Sequence, residues 1–157
     1  MKTTMKMEGL ADLAKALNQM KTSTAKGVMR RTLKEAAQPM ADMAEAKAPE
    51  GKTKRLKPSV SVSDWLTRRQ KTRHRKMFGS MKHAVEMYVG AGPLKQAHLQ
   101  EFGTAHHAPQ PFMRPAWDAE AVPTLARIGT IMGGEITKTA KRAAIRAARK
   151  AARDGGG

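Results

Sequence analysis

The sequence predicts an α+β fold, with a small, mostly antiparallel sheet packed by N-terminal helices and a long C-terminal helix. Apolar residues recur at helical spacing toward both ends of the chain, while two short central segments alternate apolar and polar side chains. Pro and Gly punctuate the stretches between them, and no internal repeat is present. The length of 157 residues fits one main domain. With 40% hydrophobic and only 4% aromatic residues, the core is expected to be aliphatic, built from Leu, Val, Ile, Met and Ala.

Leu10, Leu13, Leu17 and Met20 predict a short amphipathic helix after Gly9. A second helix is expected over residues 24–47, with Met29, Leu33, Ala36, Ala37, Met40, Met43 and Ala44 on one face. Pro39 lies inside that pattern and predicts a kink or a division, because proline removes a helix hydrogen bond. Ala48-Pro49-Glu50-Gly51 reads as a stop. Residues 59–63 and 83–90 alternate as half-buried strands do, with Val85, Met87 and Val89 on one face of the second. Residues 94–102 form a helical turn expected to place Leu94, Ala97, Leu99 and Phe102 inward, and residues 106–111 are irregular. A final long helix is expected near Asp118, a plausible N-cap, with Val122, Leu125, Ile128, Met132 and Ile136 apolar and a break possible at Gly133-Gly134.

The net charge is +17, and it is unevenly placed. Residues 52–82 carry eleven basic side chains and one acidic, and residues 138–157 carry seven and one, whereas residues 83–137 carry three and five. In the first basic segment, Arg68, Arg69, Lys71, Arg73, Arg75 and Lys76 crowd together, and their repulsion predicts a mobile loop spanning residues 66–82 between the strands. In the second, Lys138, Arg142, Arg146, Arg149 and Arg153 step by three and four, so a helix aligns them in one stripe. Alanine dominates around them and buries little. The organisation that follows is one domain over residues 1–137 and a basic helical tail over 138–157, ending in a flexible Gly155-Gly156-Gly157. Both basic elements are candidates for contact with DNA phosphates or an acidic protein surface, and the stripe of the tail carries no aromatic or amide groups that read bases.

The sequence offers little catalytic chemistry. It has no cysteine, hence no disulfide framework, thiolate nucleophile or Cys-ligated metal. His106-His107, with Glu101 and His98 near in sequence, matches no metal-ligand spacing, so neither metal nor cofactor is expected. No phosphate-binding glycine loop, nucleophile elbow or carboxylate pair is present, and the chain is not expected to be an enzyme. No apolar run approaches the roughly 20 residues that span a bilayer, and the first residues lack a signal peptide's apolar stretch. The expectation is a chain made in a reducing cytoplasm, without a membrane partner.

Residues 98–118 read HLQEFGTAHHAPQPFMRPAWD. Glu101 at the end of a helical turn can accept backbone hydrogen bonds from the loop that follows, Gly103 permits a positive φ, and Thr104 can bond locally. Phe112 is one of three phenylalanines and suits a core anchor, while Pro111 and Pro115 stiffen the entry to the last helix. The segment resembles the signature of the gene-product-ten-like tail-component family of lambdoid and other long-tailed phages. The matching positions are Glu101-Phe102-Gly103-Thr104, Pro111-Phe112 and Arg114-Pro115-Ala116. Met7-Glu8-Gly9-Leu10 and Ala48-Pro49 agree in order, so the resemblance spans about residues 7–136. Thr53-Lys54-Arg55-Leu56 departs from it, because the family's glycine before the first strand is missing.

The resemblance implies a tail-completion protein of the virion neck, joining head and connector to tail. Its subunits would close a ring, six- or twelve-fold, around the DNA path, meeting connector, tail-terminator or tail-tube proteins and touching genomic DNA non-specifically. Assembly would take place in the host cytoplasm. The motif residues then serve structure, and function resides in the assembled surface. The composition alone also suits a small basic cytosolic nucleic-acid-binding protein with no virion role.

Overall fold

The computed structural model describes residues 10–51, 53–79 and 84–154. The order is α1 (Leu10–Asn18), α2 (Thr22–Lys47), a 3-10 turn (Lys57–Ser59), β1 (Ser61–Ser63), α3 (Arg68–Phe78), β2 (Tyr88–Gly90), α4 (Lys95–Phe102) and α5 (Met113–Asp154). The fold is α+β. The expected family opening at residues 7–9, the first residue of the expected second strand and the terminal glycines lie outside the described residues.

Helix α2 is the centre of the packing. Val28, Thr32, Ala36, Met40 and Ala44 recur every fourth residue and are buried, joined by Ala41. Four of these six side chains are alanine or threonine, so neighbouring backbones approach closely. Helix α5 covers α2 in an antiparallel sense. The last turns of α2 share a core with Phe112 and Ala116 at the start of α5, while Arg31, nearer the α2 N-terminus, donates through Nε to Glu135 at 2.8 Å. Arg31 holds the Glu135 carboxyl below its usual range. Helix α1 lies against α5, where the Leu13 Cδ2 is 3.9 Å from the position of a Cβ on Gly133. The buried face of α2 is therefore rotated slightly from the expected one. Met29, Leu33, Ala37 and Met43 are half-buried at its margin.

The sheet is a two-stranded antiparallel ribbon, with Ser61 opposite Gly90, Val62 opposite Val89 and Ser63 opposite Tyr88. Val62 is buried against α2, and Leu56, Val60 and Ala91 extend the same core. The strands are shorter than alternation predicts. Pro58 lies in the 3-10 turn, and the Ser59 hydroxyl donates to the Leu56 carbonyl at 2.5 Å, so pairing starts only at Ser61. With three residues in β1, residues 84–87 have no strand to pair with.

Four further expectations are corrected. Helix α2 is not divided at Pro39, and α5, which also contains Pro123, is unbroken at Gly133-Gly134. Each proline costs one intrahelical bond, but packing along the α2–α5 seam outweighs local propensity. Residues 68–76, expected as a mobile loop, belong to the helix α3. Leu99 and Phe102 are 46% and 52% exposed, because the inward positions of α4 are taken by Ala97 and Glu101. Helix α5 starts at Met113 rather than near Asp118, and Val122 faces solvent.

Thr32 is fully buried, and its hydroxyl has no hydrogen-bond partner among the described residues. Thr32→Val removes that group at constant shape and is expected to raise stability by about 1 kcal/mol in a denaturant titration. A loss of similar size would show that the hydroxyl is satisfied.

Candidate functional site

Helix α4 ends where Gly103 donates its N–H to the Leu99 carbonyl at 2.8 Å and turns to φ +75°. A Cβ at that position would meet the His107 carbonyl oxygen and the Pro109 nitrogen, each at 2.9 Å, so the turn admits only glycine. The chain then folds back on α4. Thr104 and His107 exchange backbone hydrogen bonds of 2.9 and 3.3 Å, and the Gln110 N–H donates to the Gln100 carbonyl at 2.8 Å. The His106 N–H donates to the Thr104 hydroxyl at 3.3 Å. Residues 103–111 are thus a compact connector that delivers Phe112, fully buried, into the core.

The connector delivers the start of α5 onto Glu101. One carboxylate oxygen accepts the N–H groups of Phe112 and Met113, both at 2.9 Å, and the other accepts that of Arg114 at 3.1 Å. A helix leaves its first four N–H groups without intrahelical acceptors. Here three are bound by one side chain, and the fourth does not exist because the next residue is Pro115. The carboxylate also lies at the positive end of the helix dipole. Burial opposes ionisation of Glu101, yet the three amide donors and the Arg114 charge hold its carboxyl below the ordinary glutamate value. Arg114 closes the corner from outside, its guanidinium 4.7 Å from the Phe102 ring centroid, with the His98 ring at 4.7 Å from the same ring. Of the motif residues, Glu101, Phe112 and Ala116 are buried, whereas Phe102, Thr104, Pro111 and Arg114 face solvent.

The two basic elements occupy separate helices. Helix α3 opens with a capping box. The Thr67 hydroxyl accepts the Gln70 N–H at 3.3 Å, and Gln70 Oε1 accepts the Thr67 N–H at 2.9 Å. Gly79, at φ +76°, closes it by donating to the Arg75 carbonyl at 3.0 Å. The repulsion expected to melt this segment is instead relieved, because Arg68, Arg69, Lys71, Arg73, Arg75 and Lys76 all point into water. His74 ties the helix to the sheet, since its Nε2 is 3.5 Å from Glu86 and its ring meets Tyr88 edge-on at 5.6 Å. The Tyr88 hydroxyl donates to Glu86 at 2.6 Å, and burial together with that carboxylate pushes the phenol up to about 12. Trp65, Met77 and Phe78 at the two ends of α3 are more than 60% exposed. Sequence reading missed this cluster, although Thr67-x-x-Gln70 and Gly79 are its helix start and stop signals.

The second basic element is the end of α5. Lys138, Arg142, Arg146, Arg149 and Arg153 are exposed on one continuous helix, and Lys138 is 3.5 Å from Glu135. Among the described residues, no group of His, Asp or Glu side chains is arranged to hold a metal ion. Among the described residues no helix is long and apolar enough to cross a membrane.

Glu101→Gln keeps the shape but turns an acceptor into a donor facing the amides, and is expected to cost about 2–4 kcal/mol in chemical denaturation. Because folding lowers the Glu101 pKa, its contribution is complete above the unfolded-state value of about 4.5 and disappears as pH falls through the folded-state value. The acid limb of a stability–pH curve should therefore be shallower in Glu101→Gln. An unchanged limb would remove Glu101 as the cap, leaving Glu135 as its source.

A sequence model of the HK97-gp10-like family, described as a bacteriophage tail component, matches residues 11–103. The match runs from α1 to Gly103, so it takes in α3 and the Glu101-Phe102-Gly103 half of the motif and stops before α5. Comparisons with curated proteins and with solved structures found no match. With more than half its length matched, the chain belongs to the HK97-gp10-like family of bacteriophage tail components.

Proposed function

We propose that the chain is a tail-completion subunit of the phage neck, one copy in a closed ring between the head connector and the tail. Family membership carries this reading. The arrangement of the motif supports a structural role over a catalytic one. Glu101, its one buried carboxylate, already holds three backbone amides and is not free to move protons. Function then falls to the surface, through contacts with neighbouring copies and with connector, tail-terminator or tail-tube proteins.

The distribution of charge suits head-to-tail contacts of the kind that close rings. The exposed surface of α2 mixes Glu35, Asp42 and Glu45 with Arg30, Arg31, Lys34 and Lys47, whereas α3 and the end of α5 are dominated by cations. A mixed-charge surface on one element and basic surfaces on the others leave room for a contact in which unlike charges meet. In the particle the protein would reside at the neck, after assembly in the host cytoplasm.

Electron microscopy of particles made with the gene disabled tests this placement. Filled heads separate from free tails, or tails of defective length, are expected. Normal infectious particles would contradict it.

A further inference from the structure

We infer that the end of α5 is a DNA-binding arm, whose arginine face lies along the phosphates of duplex DNA. The last buried residue of α5 is Met132, and residues 140–153 are exposed on every side. The helix nevertheless continues to Asp154, so about 20 Å of it projects past the residues that anchor it. At 100° per residue, Lys138, Arg142, Arg146, Arg149 and Arg153 fall within an arc of about 80°. Ala140, Ala143, Ala144, Ala147 and Ala151 fill the opposite side.

Four features favour nucleic acid as the occupant. First, beyond Lys138, which meets Glu135, the stripe is uncompensated, since Arg142, Arg146 and Arg149 have no acidic partner among the described residues. Second, Arg142 and Arg146, and Arg149 and Arg153, are like charges at i and i+4, so the bare arm carries repulsion that polyanion binding would relieve. Third, the arm lacks the buried aromatic anchors around which protein interfaces are organised, and Ile145 is its one large apolar side chain. Phosphate neutralisation needs only cations. Fourth, alanine elsewhere keeps the helix slim, and the major groove of B-DNA, about 12 Å wide, admits an α-helix. With its arginines on phosphates, which carry no sequence information, and no Asn or Gln side chain, the arm binds without regard to sequence. The inference stands on the chemistry of the arm and does not require the neck assignment.

The test is a salt series of fluorescence anisotropy with the full chain and two unrelated 30-base-pair duplexes. Five neutralised phosphates give a log–log slope of about −4.5, an affinity loss of about 500-fold between 50 and 200 mM salt. Arg142→Ala, Arg146→Ala and Arg149→Ala together should reduce the slope to about −1.8 and that loss to about 12-fold. Lysine at the same three positions should preserve the slope, because charge rather than the guanidinium fork is needed. Arg68→Ala, Arg69→Ala and Arg73→Ala on α3 remove the same net charge and should leave the slope near −4.5. Equal losses in the two alanine variants, or an arm variant with an undiminished slope, would overturn the inference. So would arm-dependent binding of poly-glutamate in preference to duplex, which would indicate an acidic protein partner.

Discussion

The structure depends on one carboxylate meeting three amides. Glu101 lies at the end of an eight-residue helix, and the groups it binds begin a 42-residue one. Because it takes the N–H groups of three consecutive residues, it fixes both where α5 starts and the direction in which it leaves. Everything downstream follows that direction: Ala116 seats against α2, Arg31 meets Glu135, and the end of the helix projects beyond its last contacts. A buried carboxylate without partners would be costly, and here each donor it meets would itself be unsatisfied. The interaction therefore removes two liabilities together, and Pro115 removes what would have been a third.

That division of labour gives every part of the most distinctive segment of the sequence a structural task. Gly103 shapes the turn, residues 104–110 fold back on α4, Phe112 fills the core and Glu101 closes the junction. What the fold presents outward is different in kind: a capped basic helix, a projecting arginine stripe, and a few exposed rings around α3. A rigid junction carrying charged elements suits a tail component, whose work is done by surfaces.

The α+β class and most elements were legible in the sequence because hydrophobic period is a local signal. The roles of Gly103, Phe112 and Glu101 were legible too, although the donors to Glu101 proved to be the first turn of a helix rather than the loop. The misses have specific causes. The cap of α5 lies eleven residues before the first amide it binds, so a search for a local N-cap found Asp118 instead. At α3, charge density concealed an ordinary start and stop, Thr67-x-x-Gln70 and Gly79. Pro39 did not divide α2, because tertiary packing outweighed the lost hydrogen bond. Leu99 and Phe102 were placed inward on hydrophobicity, while the buried place belonged to the charged Glu101, whose partners could be known only in three dimensions.

Amide hydrogen exchange, resolved by residue, tests the central claim most directly. If Glu101 anchors α5, the N–H groups of Phe112, Met113 and Arg114 should exchange among the slowest in the chain, close to the rate set by global unfolding. The amides of residues 142–153 should exchange far faster, despite belonging to the same helix. Rapid exchange at residues 112–114, equal to that of the arm, would contradict the account.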